Sequence, residues 1–462
     1  MSGMRDGSRK EDPIISRREF VGSVTSAAGF MVVPRHVLGG RGYLAPSDKL
    51  NIAAVGAGGM GASNIDRCRR ENIVALCDVD DRRAASTFNK FPDAKRYRDF
   101  RKMLETEKSI EAVIVATPDH THAVAAMMAM KMGKHVYVQK PLTRSVGEAR
   151  KLTEAARQYK VATQMGNQGH SSEGLRQVCE WIWDGAIGPV REVHCLTNRP
   201  VWKQPVQRPA EEAAAPETLD WDLWLGPAQV RPYNPAYLPM IWRGWWDFGC
   251  GALGDMGCHV MDASFSALKL GYPISVEACA STQAGEEMFT WIDCKDSFPG
   301  SSIVRYTFPA RGDMPQVKLC WWDGGMLPER PAELEPGRKL ELEDDGGTIF
   351  LGEKGTIVCG TYSDAPTIIP ESKSKAYKRP PQTLPRVKGT HEQNWIDACK
   401  GGPPACSNFD YAGPFTEAVV MGNLAIRFPG QKLEWDGPNM RVTNLEEANQ
   451  HIMPVYRDGW SL

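Results

Sequence analysis

Residues 49–68 read KLNIAAVGAGGMGASNIDRC, and the fold is decided there. Asn51 to Val55 forms a short strand-like run. Gly56, Gly58 and Gly61 follow as G-x-G-x-x-G, and a helical pattern starts behind them. The glycine triplet alone says little, but its context says more: a strand before it, a helix after it, and an acidic residue at the right distance. The next strand-like run, NIVALCDVD (72–80), carries Asp78 at its end, 22 residues after Gly56. Glycines let the backbone approach a pyrophosphate at the helix N-terminus, where free N–H groups and the helix dipole favour an anion. Asp78 can accept hydrogen bonds from both ribose hydroxyls. Its charge repels a 2′-phosphate, so the residues point to NAD ahead of NADP. Arg82 and Arg83 stand close by and temper that preference.

Strand and helix patterns keep alternating. IEAVIVATPDHTHAVAAMMAMKMG (110–133) reads strand, loop, helix; KHVYVQKP (134–141) reads strand; SVGEARKLTEAARQYK (145–160) is an amphipathic helix; VATQMGNQ (161–168) is another strand. Such alternation implies a parallel sheet with helices on both faces, which binds ligands at the carboxyl ends of its strands. Thr117, Pro118, Lys140 and Asn167 lie at such ends. Lys140, an ammonium between an apolar strand and Pro141, therefore sits at the mouth of the crevice. The expected cofactor-binding set is Gly56, Gly58, Met60, Gly61, Asp78, Thr117, Pro118, His122, Gln139, Lys140 and Asn167.

A chain of 462 residues has room for two or three domains. Its composition, 42% hydrophobic and 24% charged, suits a sizeable core, and a net charge of −1 gives no basic excess for nucleic acid. No apolar run reaches the roughly 20 residues that cross a bilayer. The twelve cysteines are scattered without a C-x-x-C pair and read as buried thiols rather than a disulfide frame. Residues 1–46 hold a twin arginine, Arg17 and Arg18, then Phe20 and a small apolar stretch from Val21 to Val33. That pattern reads as a twin-arginine export leader to the periplasm; the alternative is a basic tail on a cytoplasmic protein. The expected domains are 47–168, binding NAD, and 169–462, binding substrate.

The second half changes character. QPVQRPAEEAAAPET (204–218) reads as a surface excursion. SIVRYTF, QVKLCWWDG, GTIFLGEKGTIVCG and LEW read as strands without intervening helices, so an α+β domain with a large, mostly antiparallel sheet is expected. In GALGDMGCHVMD (251–262), Asp255 and His259 are four residues apart and share a helix face. A carboxylate and an imidazole there make an acid–base pair, with histidine titrating near neutral pH. Gly249, Gly251, Gly254 and Gly257 allow close approach of a ligand. Asp255, His259, His120 and His122 form a conceivable metal set. No metal is expected, because the dinucleotide site already offers the chemistry.

Four features in order, VGAGGMG, CDVD, VYVQKP and GALGDMGCH, resemble the glucose–fructose oxidoreductase, inositol dehydrogenase and rhizopine-catabolism family, Gfo/Idh/MocA. WDLWLGP and WRGWWDFG look like its exported bacterial branch. The resemblance runs from about residue 48 to the C-terminus. It implies a Rossmann domain followed by an α/β domain with an open sheet through which copies associate, so a homo-oligomer is expected. It also implies catalytic roles for Lys140, Asp255 and His259, with Lys140 in the place of the lysine of an E-K-P motif. The glutamate of that motif is Gln139 here, which cannot supply a charge.

The expected reaction oxidises a secondary hydroxyl of a sugar, sugar derivative or cyclitol with NAD⁺, the cofactor staying tightly bound. His259 or Lys140 takes the proton, and Asp255 orients the substrate or the imidazole. Lys140, Asp255, His259, Trp202 and Arg243 form the expected substrate wall. Trp221, Trp224, Trp242, Trp245 and Trp246 either stack on sugar faces or pack a core. The alternatives are a redox-neutral NAD-dependent glycosidase and a non-catalytic NAD-binding protein.

Overall fold

The computed structural model describes residues 48–462 apart from 286, 293, 294, 341, 343 and 344. The twin-arginine leader lies outside the described residues. β1 (Asn51–Val55), α1 (Met60–Arg67), β2 (Asn72–Cys77), α2 (Asp81–Lys90), β3 (Lys95–Tyr97), α3 (Phe100–Thr106), β4 (Ala112–Val115), α4 (Asp119–Lys131), β5 (His135–Val138), α5 (Val146–Tyr159) and β6 (Thr163–Met165) alternate as expected. They build a six-stranded sheet in the order β3-β2-β1-β4-β5-β6, with every neighbouring pair parallel.

Local chemistry fixes the helix starts. The Asp80 side chain accepts from the Arg82 and Arg83 N–H groups at the head of α2. Ser145 and Glu148 form a reciprocal capping box at the head of α5. Gly56 has φ +88°, and a Cβ there would be driven into the Ala116 carbonyl. A Cβ on Gly61 would strike the Gly56 carbonyl. These two glycines bring β1, α1 and the end of β4 together, which lays the loop along the strand ends.

The chain continues through α6 (Glu173–Trp183), β7 (Val190–Thr197), α7 (Trp221–Leu225), α8 (Gly251–Val260), α9 (Asp262–Ala267), β8 (Ser275–Ala280), β9 (Ser302–Phe308), β10 (Val317–Trp322), β11 (Gly346–Gly352), β12 (Gly355–Gly360) and β13 (Thr367–Ile369). It ends with α10 (Glu371–Ala376), α11 (His391–Cys399), α12 (Phe409–Arg427), β14 (Lys432–Asp436), β15 (Arg441–Val442) and α13 (Glu446–Asn449). Nine strands pair in the order β13-β12-β11-β7-β10-β9-β8-β14-β15. Only β7 and β10 run parallel; the other pairs are antiparallel. β9 shows why one face is covered: Val304, Tyr306 and Phe308 are buried, while Ile303, Arg305 and Thr307 alternate with them half-buried. α8 and α12 share the core on the buried side, and the Tyr306 hydroxyl donates to the Val419 carbonyl of α12 at 3.2 Å.

One expectation needs correction. The later strands are not free of helices, because α10, α11 and α12 stand between β13 and β14. The second half also reaches back: Trp395 and Ile396 of α11 are buried in the same cluster as Ile52, Ile65 and Tyr137 of the first layer. Residues 204–218 form neither helix nor strand and are mostly exposed. None of the eleven described cysteines is in a disulfide, and all but Cys279 are buried or partly buried.

Candidate active site

A cleft of about 460 Å³ opens where the carboxyl ends of β1, β2, β4 and β5 meet α8. The glycine loop forms one wall, with Gly56, Gly58 and Met60 on its surface. Gly61 does not line the cleft; its part is the close packing described above. α1 begins at Gly59 with no side-chain cap, so its first N–H groups have no competing side-chain acceptor. Asp78 lines the cleft, but both its oxygens are already engaged. Oδ2 accepts from the N–H groups of Ala57 and Gly58 at 2.8 and 3.1 Å, and Oδ1 from Asp80 at 3.0 Å. Burial raises the Asp78 carboxyl above its ordinary value against the pull of these hydrogen bonds. Its first task is to hold the loop in shape, which leaves its remaining lone pairs for a ribose. Arg83 and Arg98 also reach this wall, and Arg98 is paired with Asp81.

Thr117, Pro118, Gln139 and Lys140 line the cleft, as the strand-end argument requires. His122 and Asn167 do not, and both expectations are corrected. His122 is buried behind the wall, its Nδ1 2.8 Å from the Pro141 carbonyl and its Nε2 2.9 Å from that of Thr117. It braces the backbone that carries Thr117 and Pro141. Asn167 is fully buried between Asp262 and Ser407. Gln139 turns its amide to the Asn64 Oδ1 at 2.8 Å, and Asn64 in turn donates to buried Glu392 at 2.8 Å. The neutral side chain thus joins a network under the wall.

The opposite wall comes from α8. Lys140 donates to the Asp255 backbone carbonyl and to its Oδ1 at 3.0 Å. Arg243 Nε donates to the same Oδ1 at 3.0 Å, and Arg199 Nε stands 3.7 Å from Oδ2. Burial pushes the Asp255 carboxyl up, but Lys140 and Arg243 outweigh it and hold it well below the usual carboxylate range. This corrects the expected aspartate–histidine pair: Asp255 spends its carboxylate on three cations rather than on His259. The imidazole lines the cleft, its Nδ1 is buried without a partner, and its ring meets Tyr362 edge-on at 4.9 Å. Burial, reinforced by Lys140, depresses it to about 3, not near neutrality. His259 is therefore a neutral base.

The glycines before and within α8 also have a different task. A Cβ on Gly249 would lie 2.5 Å from Arg243 Cα, one on Gly251 2.7 Å from the Phe298 ring, and one on Gly257 2.9 Å from Val419 Cγ1, while one on Gly254 would strike Cys250. They admit the protein's own packing, not a ligand. Of the six tryptophans, Trp224 and Trp242 reach the cleft. Trp221 stacks on Trp224 at 4.8 Å, and Trp245 is fully buried beside them. Trp202 stands one layer back, bonded to Gln204 at 2.7 Å, with the Arg243 guanidinium 6.0 Å over its ring and 4.2 Å over that of Trp242. Arg243 thus reaches the cleft and Trp202 supports it. The conceivable metal set does not assemble, since His120 turns its ring nitrogens to the carbonyls of Phe248 and Trp224, as His122 does to its own pair.

Three residues escaped the sequence reading. Arg199 and Tyr362 line the cleft from β7 and β12, each just past its strand end. Asp119, in the quoted TPDHTH string, is buried at the start of α4, and burial raises its carboxyl to about 7 against the pull of Arg243 and Lys140.

A crevice along the strand ends of a doubly wound sheet, faced by a polar wall from a second domain, defines a two-domain dinucleotide-binding protein. The comparisons agree. The oxidoreductase family, NAD-binding Rossmann fold, matches residues 50–167, and the C-terminal alpha/beta domain of the same family matches 191–305. The chain belongs to the Gfo/Idh/MocA family, and its first layer is an NAD-binding Rossmann domain. Inositol 2-dehydrogenase of Rubrobacter xylanophilus is 31% identical over 147 residues, 31% of this chain and 42% of that relative. The chain thus spans about half the length of the curated relatives it matches. Among solved structures, the WlbA dehydrogenase from Bordetella pertussis in complex with NADH and UDP-GlcNAcA superposes with a TM-score of 0.56 at 17% identity, covering 84% of this chain and 99% of that one. A levoglucosan dehydrogenase complexed with NADH gives 0.53 at 17% identity, covering 84% and 99%. At such identities these structures share the fold.

Proposed function

We propose that the protein is an NAD-dependent oxidoreductase acting on a secondary hydroxyl of a sugar, sugar derivative or cyclitol. The observation that carries this reading is a neutral, buried His259 and an ion-paired Lys140, both facing the cleft that the glycine loop enters. The relatives named as inositol 2-dehydrogenases support the substrate class.

When bound, NAD supplies the hydride acceptor. The chain's residues do the rest. His259 accepts the hydroxyl proton, a role open to a neutral imidazole and closed to a cationic one. The Lys140 ammonium donates to the same oxygen and stabilises the negative charge that develops there. Asp255 holds Lys140 and Arg243 in place, and Arg243, Arg199, Trp224 and Trp242 offer donors and flat apolar surface to a polyol ring. Retention of the cofactor through turnover, and export by the Arg17–Arg18 leader, belong to the same proposal.

The test pairs turnover with cofactor content. His259→Ala is expected to cut turnover on a panel of free sugars and cyclitols by about 10²–10⁴. NAD(H) released on denaturation should remain at the wild-type ratio. Near-full activity of the variant would remove His259 from the proton transfer, and cofactor-free wild-type protein would remove the tight-binding part.

A further inference from the structure

A second cavity, also of about 460 Å³, shares no lining residue with the cleft. It opens between the C-terminal end of α12, the segment 246–249 and the residues around His451. Arg427, the last residue of α12, lies with its guanidinium 3.9 Å over the Trp246 ring. No carboxylate pairs with it among the described residues. Burial, with the like charge of Arg144 adding to it and Asp247 opposing it, pulls Arg427 down to about 10. Arg144 lines the same cavity; its Nη1 donates to the Trp246 carbonyl at 2.9 Å, and its Nε is buried without a partner among the described residues. The acids at the rim are already engaged: Asp247 pairs with Arg231 and Arg208, and Asp296 with Arg208. Asn423 is 8% exposed; its Nδ2 donates to the Cys250 carbonyl at 2.9 Å while its Oδ1 is buried with no partner among the described residues.

Two half-buried guanidiniums of like charge line this cavity, and among the described residues no carboxylate stands at ion-pair distance from either, Asp247 attracting Arg427 only from the rim, so the pair is open to an anion. The missing part is an anion. The planar fork of arginine matches carboxylate and phosphate oxygens, and the aromatic floor under Arg427 keeps that fork oriented. The vacant Asn423 acceptor needs a donor, which a hydroxyl beside the anionic group supplies. We propose that this second cavity binds a small hydroxylated oxyanion, a carboxylate or a phosphate, held between Arg144 and Arg427 with a hydroxyl on Asn423. Arg144 and Asn423 also hold the carbonyls of Trp246 and Cys250, on the segment that leads into α8. A ligand in this cavity therefore touches the supports of the helix that carries Asp255 and His259.

The test uses the full protein saturated with NAD, so that the glycine loop cannot serve as the anion site. Gluconate and inorganic phosphate are titrated separately by calorimetry and thermal shift, with chloride at equal ionic strength as the control. At least one of the two is expected to bind saturably at up to about 10 mM; gluconate alone assigns a carboxylate, phosphate alone a phosphate, and both an oxyanion generally. Arg427→Met should weaken binding about tenfold or more. The same variant should melt no lower than the wild type without ligand, because it removes a half-buried charge with no ion-pair partner among the described residues. Asn423→Asp, which sets a like charge against the anion, should weaken binding as well. Failure of both probes to bind beyond the chloride control overturns the proposal, and so does undiminished binding by Arg427→Met.

Discussion

Asp255 shows what one buried carboxylate does among cations. It faces Lys140, Arg243 and Arg199 with its side chain 12% exposed. Asp255→Asn leaves Lys140 and Arg243 without this counter-charge, while Arg199 keeps Asp345 at 2.9 Å, and breaking a buried pair in this way costs about 3–5 kcal/mol. The expected result is a clear drop in melting temperature together with loss of turnover, while Asp255→Glu keeps part of both. A variant as stable as the wild type would mean that water, not the carboxylate, balances the cluster. At this scale the sequence brought Lys140, Asp255 and His259 to one cleft and mismatched their partners. Four-residue spacing put Asp255 and His259 on one face of α8, but it says nothing of Lys140, which arrives from β5, or of Arg199, from the end of β7. Burial, the cause of the depressed His259, leaves no mark in local sequence either. His122 and Asn167 sat at suitable positions along the chain and still fell behind the wall, because His122 is carried inward on α4 and Asn167, just past the end of β6, turns into the interior.

At the scale of elements, the β1–α1 turn was the most legible part of the molecule. Its demands are local and steric, and glycine answers them in only one way. Gly61→Ala sets a methyl group against the Gly56 carbonyl, so the loop has to shift off the strand ends. Its expected effect is weaker NAD binding, by at least about tenfold, measured by calorimetry on cofactor-stripped protein. Wild-type affinity would show that the loop adapts and that the packing is not what shapes the phosphate site. α12 was illegible for the opposite reason. Nearly every residue from Phe415 to Ile426 is buried, so no polar stripe marks a helical period, and Gly413 and Pro414 look like breakers. β7, an interior strand of the second sheet, buries both its faces over Val193–Thr197 and so hides its alternation in the same way.

For the whole molecule, the buried imidazoles set the response to acid. Burial depresses His120 and His259 to about 3 and His122 to about 4, below the roughly 6.5 of an exposed histidine. As pH falls from 6.5 towards 4 the unfolded chain takes up protons that the folded one refuses, so these groups cost stability over that window. Two buried carboxyls oppose them: Asp119, raised to about 7, and Asp323, raised to about 6, both by burial, are more protonated when folded and favour the folded state as pH falls. Three imidazoles outweigh two carboxyls. Melting temperature should therefore fall between pH 6.5 and pH 4.5, and His120→Gln should flatten that fall by up to about 1.4 kcal/mol per pH unit. A melting curve indifferent to acid would mean that these rings find protons in the folded state.

The reach of α11 into the first layer has a consequence for how the protein is made. The N-terminal sheet leaves the ribosome first, yet Trp395 and Ile396, which seal its core, are synthesised after most of the second domain. A chain cut after Gln168 lacks that seal and is expected to aggregate, although it holds every strand of the Rossmann sheet; a soluble, NAD-binding fragment would show that the seal is dispensable. In the intact protein the cofactor domain waits half-closed through the translation of its neighbour. Domain-by-domain folding during synthesis is thus denied to it, and NAD meets a finished crevice only when the chain is nearly complete.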